Sequence, residues 1–166
     1  MPDAAPVLAL VTVQRLYELL LSARNETRLR ARGAFEVGKE HYPMIVGLHA
    51  AWLLGLWILA WPRPVNWWLI AAYVALQGLR YWVMASLGER WTTRVIVLPG
   101  APLVRAGPYR YLRHPNYIVV IAEIALLPLA FGMVIYAIVF SIANAMLLAL
   151  RIRVENRALA ETARTQ

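Results

Sequence analysis

Four apolar runs separated by polar segments dominate the chain. They cover residues 4–22, 41–61, 65–87 and 117–150. Each of the first three runs has about the length that a helix needs to cross the hydrocarbon core of a bilayer, which is ~20 mostly apolar residues. The pattern therefore predicts an all-α integral membrane protein that forms one membrane domain over residues 1–166.

The last apolar run is too long for one span. It has 34 residues, and at a rise of ~1.5 Å per residue it would form a helix of about 51 Å, against a hydrocarbon core of ~30 Å. Pro128 and Gly132 favour a break, because proline removes a backbone donor and glycine relaxes the turn. We predict a helical hairpin with spans at 116–130 and 132–150, which gives five spans. One tilted, kinked helix is the alternative.

Positive charge is confined to particular polar segments. Fourteen of the 17 Lys and Arg residues lie in residues 23–40, 88–116 and 151–166. Cytoplasmic loops carry the excess of Lys and Arg, so the distribution predicts five spans, an outside N-terminus, and a cytoplasmic C-terminus. The first apolar run has no Lys or Arg before it, which favours a retained span over a cleaved signal peptide.

Composition narrows the possible chemistry. The chain is 61% apolar, has a formal net charge of +8 and contains no cysteine, which excludes disulfides, thiolate metal sites and a cysteine nucleophile. Its three histidines are scattered at positions 41, 49 and 114, so we predict no metal site. The cations lie in loops between apolar runs, a pattern that indicates contact with membrane lipids rather than with nucleic acid.

Two polar segments flank the predicted hairpin and must lie near each other. In the first, residues 88–116, His114-Pro115 predicts a helix start, and a helix start suits an anion. In the second, Arg151 and Glu155 are four residues apart and share one helix face. They either line a pocket or form a solvated ion pair that anchors the last span.

Charged residues also occur inside the spans. Glu123 lies in the fourth span, and an ionisable residue within a span is a functional-site hypothesis by default. It is the candidate general base if the substrate is a phenol, and the alternative is an internal pair with an arginine such as Arg80. Arg15 and Glu18 are predicted to pair with each other. The roles of His41, whose loop could cap a pocket, and of His49 stay open.

The segment "LVRAGPYRYLRHPNY", the following hairpin and "RIRVEN" resemble the isoprenylcysteine carboxyl methyltransferase family. The similarity extends over about residues 87–159. It implies S-adenosylmethionine as methyl donor, five spans as in bacterial members, and a pocket formed by residues 88–117 and 150–159. An NADPH-dependent membrane reductase of similar fold and a non-enzymatic transporter or scaffold are the alternatives.

The resemblance also implies roles for individual residues. Arg151 is expected to face the acidic oxygen of the acceptor, and Arg113 fits an electrostatic or positioning role. The family often has a second Glu where Asn156 stands, which leaves a paired acid in doubt. The expected cofactor-binding residues are Leu103, Val104, Tyr109, His114, Pro115, Asn116, Tyr117 and Glu155.

The first half of the chain is similar to a smaller bacterial group of the family. The segments "QRLYELLLSARN" and "GAFEVGKEHYPMIVGLH" resemble members associated with polyketide synthases that make long-chain pyrones or resorcinols. This resemblance implies O-methylation of such lipids in a bacterial inner membrane. A prenylcysteine-type carboxylate stays open as the acceptor, and so does the oligomeric state.

Overall fold

The computed structural model describes residues 4–61 and 63–164 and is mostly helical, with about 75% of residues in helices. By length and composition, Ala4–Ala31, Tyr42–Leu59 and Val134–Arg157 could each cross a membrane, whereas Pro115–Ala130 is a shorter apolar helix. The elements in chain order are α1 Ala4–Ala31, β1 Phe35–Val37, α2 Tyr42–Leu59, α3 Trp67–Leu87, β2 Val95–Val97, α4 Pro115–Ala130 and α5 Val134–Arg164. The predicted helical membrane architecture is therefore confirmed in outline.

Helices α4 and α5 form the predicted hairpin around residues 131–133, and they pack against each other. Pro128 lies in the last turn of α4, and Gly132 adopts a φ of 69°. A left-handed φ is open to glycine but strained for other residues. The break therefore falls where the sequence predicted it, and the single kinked helix is excluded.

Helix α1 is longer than predicted, because it ends at Ala31 rather than near Ser22. The extension is polar, and Arg30 pairs with Glu26 one turn earlier at 2.7 Å. Residues four apart face each other on a helix and support it when oppositely charged. Apolar periodicity marks only the membrane part of such a helix, so the polar extension was missed.

A two-stranded ribbon was also missed. Strand β1 pairs antiparallel with β2, with Phe35 opposite Val97 and Val37 opposite Val95, and both strands contact α5. Strands of three residues are too short to show an alternating pattern. The ribbon ties residues 32–41 to residues 88–114 at one end of the helix bundle, which we call the loop end.

The apolar core fills the opposite end of the bundle, where α1 begins. Trp52 of α2 is 2% exposed, and its indole nitrogen donates a hydrogen bond to the carbonyl of Ile124 in α4 at 3.3 Å. The core cluster consists of Ala4, Leu8, Val11, Trp52, Leu56, Ala60, Ile70, Tyr73, Ile124, Leu127, Ala130, Phe131 and Met133. Four helices are thus joined at this end, and the loop end is left for polar chemistry.

The outer surface of the bundle is also apolar. Large side chains more than 60% exposed include Leu10 in α1, Ile58 in α2, Val74 in α3, and Ile135 and Met146 in α5. Such a surface is unfavourable in water but matches lipid tails. The apolar helices and this surface indicate a membrane protein.

Candidate active site

Four charged side chains, three of them buried and Arg15 partly exposed, form a network between the apolar core and the loop end. Arg80 of α3 donates to both oxygens of Glu18 in α1 at 2.5 Å, and it reaches Glu123 of α4 at 2.8 Å. Arg15 lies 2.8 Å from Glu18 and 2.8 Å from Glu123. The two cations and two anions balance, so α1, α3 and α4 are held together without net buried charge.

Both oxygens of Glu123 have partners inside this network. One accepts from Gln77 at 2.9 Å, the other contacts the two arginines, and the side chain is 2% exposed. The internal pair with Arg80 is therefore present, as is the predicted pair of Arg15 with Glu18. The use of Glu123 as a base stays a prediction. In this geometry its carboxylate joins helices through ion pairs and a hydrogen bond.

The loop between α3 and α4 is fixed to the bundle at two places. At its start, Asn25 donates to the carbonyl of Trp91 at 2.8 Å, and the Thr93 amide donates to the Ser22 hydroxyl at 2.8 Å. Near its end, the turn Gly107–Arg110 packs against α3. The loop is therefore held against the bundle near both of its ends.

Gly107 permits this second contact. Its φ is 56°, and a Cβ there would collide with the Ser86 hydroxyl and lie 3.0 Å from the indole nitrogen of Trp82. The Ser86 Cβ, at 3.1 Å, would stay too close even if the hydroxyl rotated away. The glycine of the "GPYR" motif thus allows a backbone approach that no other residue permits.

Gly107→Ala should destabilise the protein more than Gly100→Ala. Gly100 has a similar φ of 72°, but a Cβ there meets nothing within 4 Å. Both variants therefore strain the backbone, and only Gly107→Ala also creates a steric clash. We expect a difference of about 1–3 kcal/mol, measured as melting temperature in detergent. Equal melting temperatures for the two variants would contradict this account of the motif.

Residues 114–117 and 151–155 lie together where the hairpin of α4 and α5 opens, and we call this place the hairpin mouth. It joins three predicted site residues. The Tyr117 hydroxyl in the first turn of α4 donates a hydrogen bond to Glu155 of α5 and accepts one from Arg151 Nε at 3.0 Å. The Arg151 guanidinium also lies 5.6 Å from the centre of the Tyr117 ring. One phenol therefore links the start of the hairpin to the extension of its second helix.

Other predicted cofactor residues surround this group. The His114 ring stacks on Tyr117, with centroids 5.3 Å apart. The side-chain oxygen of Asn116 is buried and has no hydrogen-bond partner among the described residues. Burial, and secondarily the negative charge of Glu155, raise the pKa of Tyr109 above its ordinary value, so its phenol keeps its proton at neutral pH.

The remaining predicted residues are less engaged. Pro115 is buried as the first residue of α4, Val104 is half-buried, and Leu103 is 64% exposed. Arg113 is exposed, and the described part of the chain offers it no ion pair. These residues lie on the segment that leads into α4, and their roles stay predictions.

A second, small cleft adjoins the hairpin mouth, and most of its lining was missed from the sequence. It has a volume of about 20 Å³, is partly open, and shares Arg151 with the Tyr117 group. Its lining residues are Glu36, Val37, Gly38, His41, Tyr42, Ile45, Val95, Arg151 and Val154. The ribbon brings Glu36, Val37 and Val95 here, and His41 at the start of the second apolar run was the sequence signal for this cleft.

Comparison with known proteins identifies relatives of this chain. The model of the isoprenylcysteine carboxyl methyltransferase (ICMT) family matches residues 68–161. The chain is 43% identical over 160 residues to the uncharacterized protein YpbQ of Bacillus subtilis (strain 168), covering 93% of this chain and 95% of that protein. An uncharacterized protein of Haemophilus influenzae is 28% identical over 114 residues, 66% of each chain. No solved structure matches significantly.

Proposed function

Because the chain belongs to the isoprenylcysteine carboxyl methyltransferase family, we propose that it is an S-adenosylmethionine-dependent O-methyltransferase that acts on a lipophilic acceptor at the membrane. The observation that carries this proposal is the hydrogen-bonded group of Tyr117, Glu155 and Arg151 at the hairpin mouth. It places a carboxylate and a guanidinium on either side of one phenol, at the junction of the two segments expected to form the pocket.

The side chains near the mouth fit the proposed cofactor. When bound, S-adenosylmethionine supplies an electrophilic methyl group on a cationic sulfonium sulfur. Glu155 offers the negative charge that a cation requires, and the unpartnered oxygen of Asn116 is available to a polar hydrogen-bond donor. The stacked rings of His114 and Tyr117 offer an aromatic surface. Leu103, Val104, Tyr109 and Pro115 complete the proposed pocket.

Arg151 is the proposed acceptor-binding residue. It contacts Tyr117 on one side and lines the small cleft on the other. A guanidinium binds a carboxylate or another anionic oxygen through charge-assisted hydrogen bonds and so orients it. Fixing an oxygen nucleophile beside the methyl donor is the main task of such a site, because orientation accounts for much of the barrier. Arg113, exposed on the loop, would attract an anionic acceptor.

The proposed topology has five spans, with the N-terminus outside and the site in the cytoplasm. Helices α3 and α4 pack into the same bundle as the three helices that are long and apolar enough to cross a membrane. The loop end carries the segments that are rich in arginine, which supports a cytoplasmic location. Relatives in Bacillus subtilis and Haemophilus influenzae support a bacterial cell membrane.

The proposed acceptor is a long-chain pyrone or resorcinol, and a prenylcysteine-type carboxylate is the competing class. A carboxylate or an acidic pyrone enol arrives ionised and requires only orientation. A resorcinol has a phenol pKa near 10 and requires a base.

Calorimetry in detergent should test the cofactor first. S-adenosylhomocysteine should bind the purified protein, and NADPH should not. The protein would then be incubated with isotope-labelled S-adenosylmethionine and each of the three acceptor classes, followed by mass spectrometry of the lipids. Transfer of label to one class would identify the acceptor, whereas micromolar binding of NADPH without binding of S-adenosylhomocysteine would refute the methyltransferase proposal.

A further inference from the structure

One ring nitrogen in the small cleft lacks a partner. His41 precedes α2, and its Nδ1 is buried without a hydrogen-bond partner in the described part of the chain. A buried polar atom normally has a partner, because leaving it unpaired costs free energy. An unpaired nitrogen in a cleft that also contains Arg151 is therefore available to a ligand.

One cation that lines the cleft, Arg151, forms no direct ion pair among the described residues, and Glu155 reaches it only through the Tyr117 hydroxyl. Glu36 lines it, but this carboxylate is paired with Arg30 at 2.7 Å and with Arg94 at 2.6 Å. Arg151 bonds the neutral Tyr117 phenol, and the described carboxylates form no ion pair with it. The electrostatics of the cleft therefore favour a ligand with a negatively charged or strongly polar oxygen.

The walls of the cleft are held in place. The Arg94 guanidinium lies 4.0 Å from the centre of the Tyr42 ring, and the Tyr42 hydroxyl is 3.0 Å from that of Thr93. Gly38 has a φ of 67°, and a Cβ there would lie 2.7 Å from Val154 and 3.9 Å from His41 Nδ1. The segment after β1 thus lies directly against α5, and the glycine keeps space beside the histidine.

We propose that this cleft is the acceptor-binding subsite, with His41 Nδ1 hydrogen-bonded to one oxygen of a ring-shaped acceptor head group and Arg151 paired with its anionic oxygen. The inference rests on the proposed methyltransferase function and deepens it. Val37, Ile45, Val95 and Val154 give the cleft apolar walls that suit the ring of a hydroxypyrone.

Binding requires the cleft to open. Its volume of about 20 Å³ is little more than the ~10–15 Å³ that a cavity needs to hold one water molecule. We expect the opening to separate the turn at Gly38 from Val154, because a Cβ on Gly38 would lie only 2.7 Å from Val154. Gly38→Ala would collide with Val154 and strain a backbone with a φ of 67°, so it should displace the turn beside His41 and weaken acceptor binding.

The test measures equilibrium binding of a hydroxypyrone carrying a long alkyl chain to the full-length protein in detergent, with S-adenosylhomocysteine binding measured in parallel. His41→Ala should weaken pyrone binding roughly tenfold, the effect of one buried hydrogen bond, and leave S-adenosylhomocysteine binding within about twofold. His41→Asn should restore part of the affinity, because its amide lies close to the position of Nδ1. Glu40→Ala, an exposed neighbour outside the cleft, is the matched control.

Each outcome bears on the subsite. Unchanged pyrone affinity in His41→Ala, equal losses for both ligands, or no pyrone binding by the wild-type protein would overturn it. Pyrone binding and S-adenosylhomocysteine binding are measured separately, so the proposed function and the subsite can fail separately. A wild-type protein that binds the pyrone through His41 but does not bind S-adenosylhomocysteine would support the subsite and refute the methyltransferase.

Discussion

Arg80→Met is expected to lower the free energy of unfolding by about 3–5 kcal/mol, the usual effect of removing one partner of a buried ion pair. Arg80 is 5% exposed and reaches Glu18 and Glu123 at the same time. Without it, two buried carboxylates share Arg15 alone, and the network carries a net negative charge in the middle of the bundle.

A double variant separates charge balance from the loss of contacts. Glu18→Met combined with Arg80→Met removes one anion and one cation and leaves the pair of Arg15 with Glu123 at 2.8 Å. Replacing a whole buried pair by apolar residues of similar size is often neutral, so the double variant should recover most of the lost stability. The measurement is unfolding in mixed micelles as the concentration of a denaturing detergent is raised.

The exposed pair of Arg28 with Glu89 is the control. Its side chains are 45% and 51% exposed at a separation of 2.7 Å, and exposed pairs contribute at most ~1 kcal/mol. Arg28→Ala should therefore change stability little. If Arg80→Met costs no more than Arg28→Ala, or if the double variant is less stable than the single one, the network is not what joins α1, α3 and α4.

The helices of the fold could be predicted because their signal is local. Long apolar runs mark α2 and α5, and Pro128 with Gly132 marks the hairpin turn, so these elements followed from the sequence. The ribbon could not be predicted, because pairing Glu36 with Ile96 joins residues 60 positions apart in strands of three residues. No periodic pattern of apolar residues within one segment predicts a contact between segments so far apart.

The candidate site divides in the same way. A hairpin must return its second helix to the level at which the first began, so the sequence predicted that Arg151 and Glu155 lie near the start of α4. Tyr117 was expected from the family resemblance, and the structure joins all three side chains. The cleft around His41 depends on the ribbon and on Gly38 touching Val154, so its composition had no sequence signal beyond one histidine. Glu123 is the opposite case. The sequence marked it as unusual but left open whether it is a general base or part of an internal ion pair.

Arg151→Ala should lower methyl transfer about 100-fold while leaving S-adenosylhomocysteine affinity within a few-fold. Removing a charged group that contacts the reacting oxygen typically costs ~10²–10³ in turnover. Glu155→Gln should do the reverse, weakening S-adenosylhomocysteine binding roughly 10- to 100-fold through the loss of a charged hydrogen-bond partner. The exposed neighbour Asn156→Ala is the control for both.

Tyr117→Phe tests whether these two residues act separately or through the phenol that links them. The variant removes the hydroxyl that donates to Glu155 and accepts from Arg151 but keeps both charges and the ring stacked on His114. If Arg151 acts directly on the acceptor, Tyr117→Phe should reduce turnover far less than Arg151→Ala. Equal losses in turnover would instead make Arg151 a positioning residue that works by holding Tyr117. In that case another residue would contact the acceptor. Comparing the change in turnover with the change in donor affinity shows whether a side chain stabilises the transition state or the bound donor.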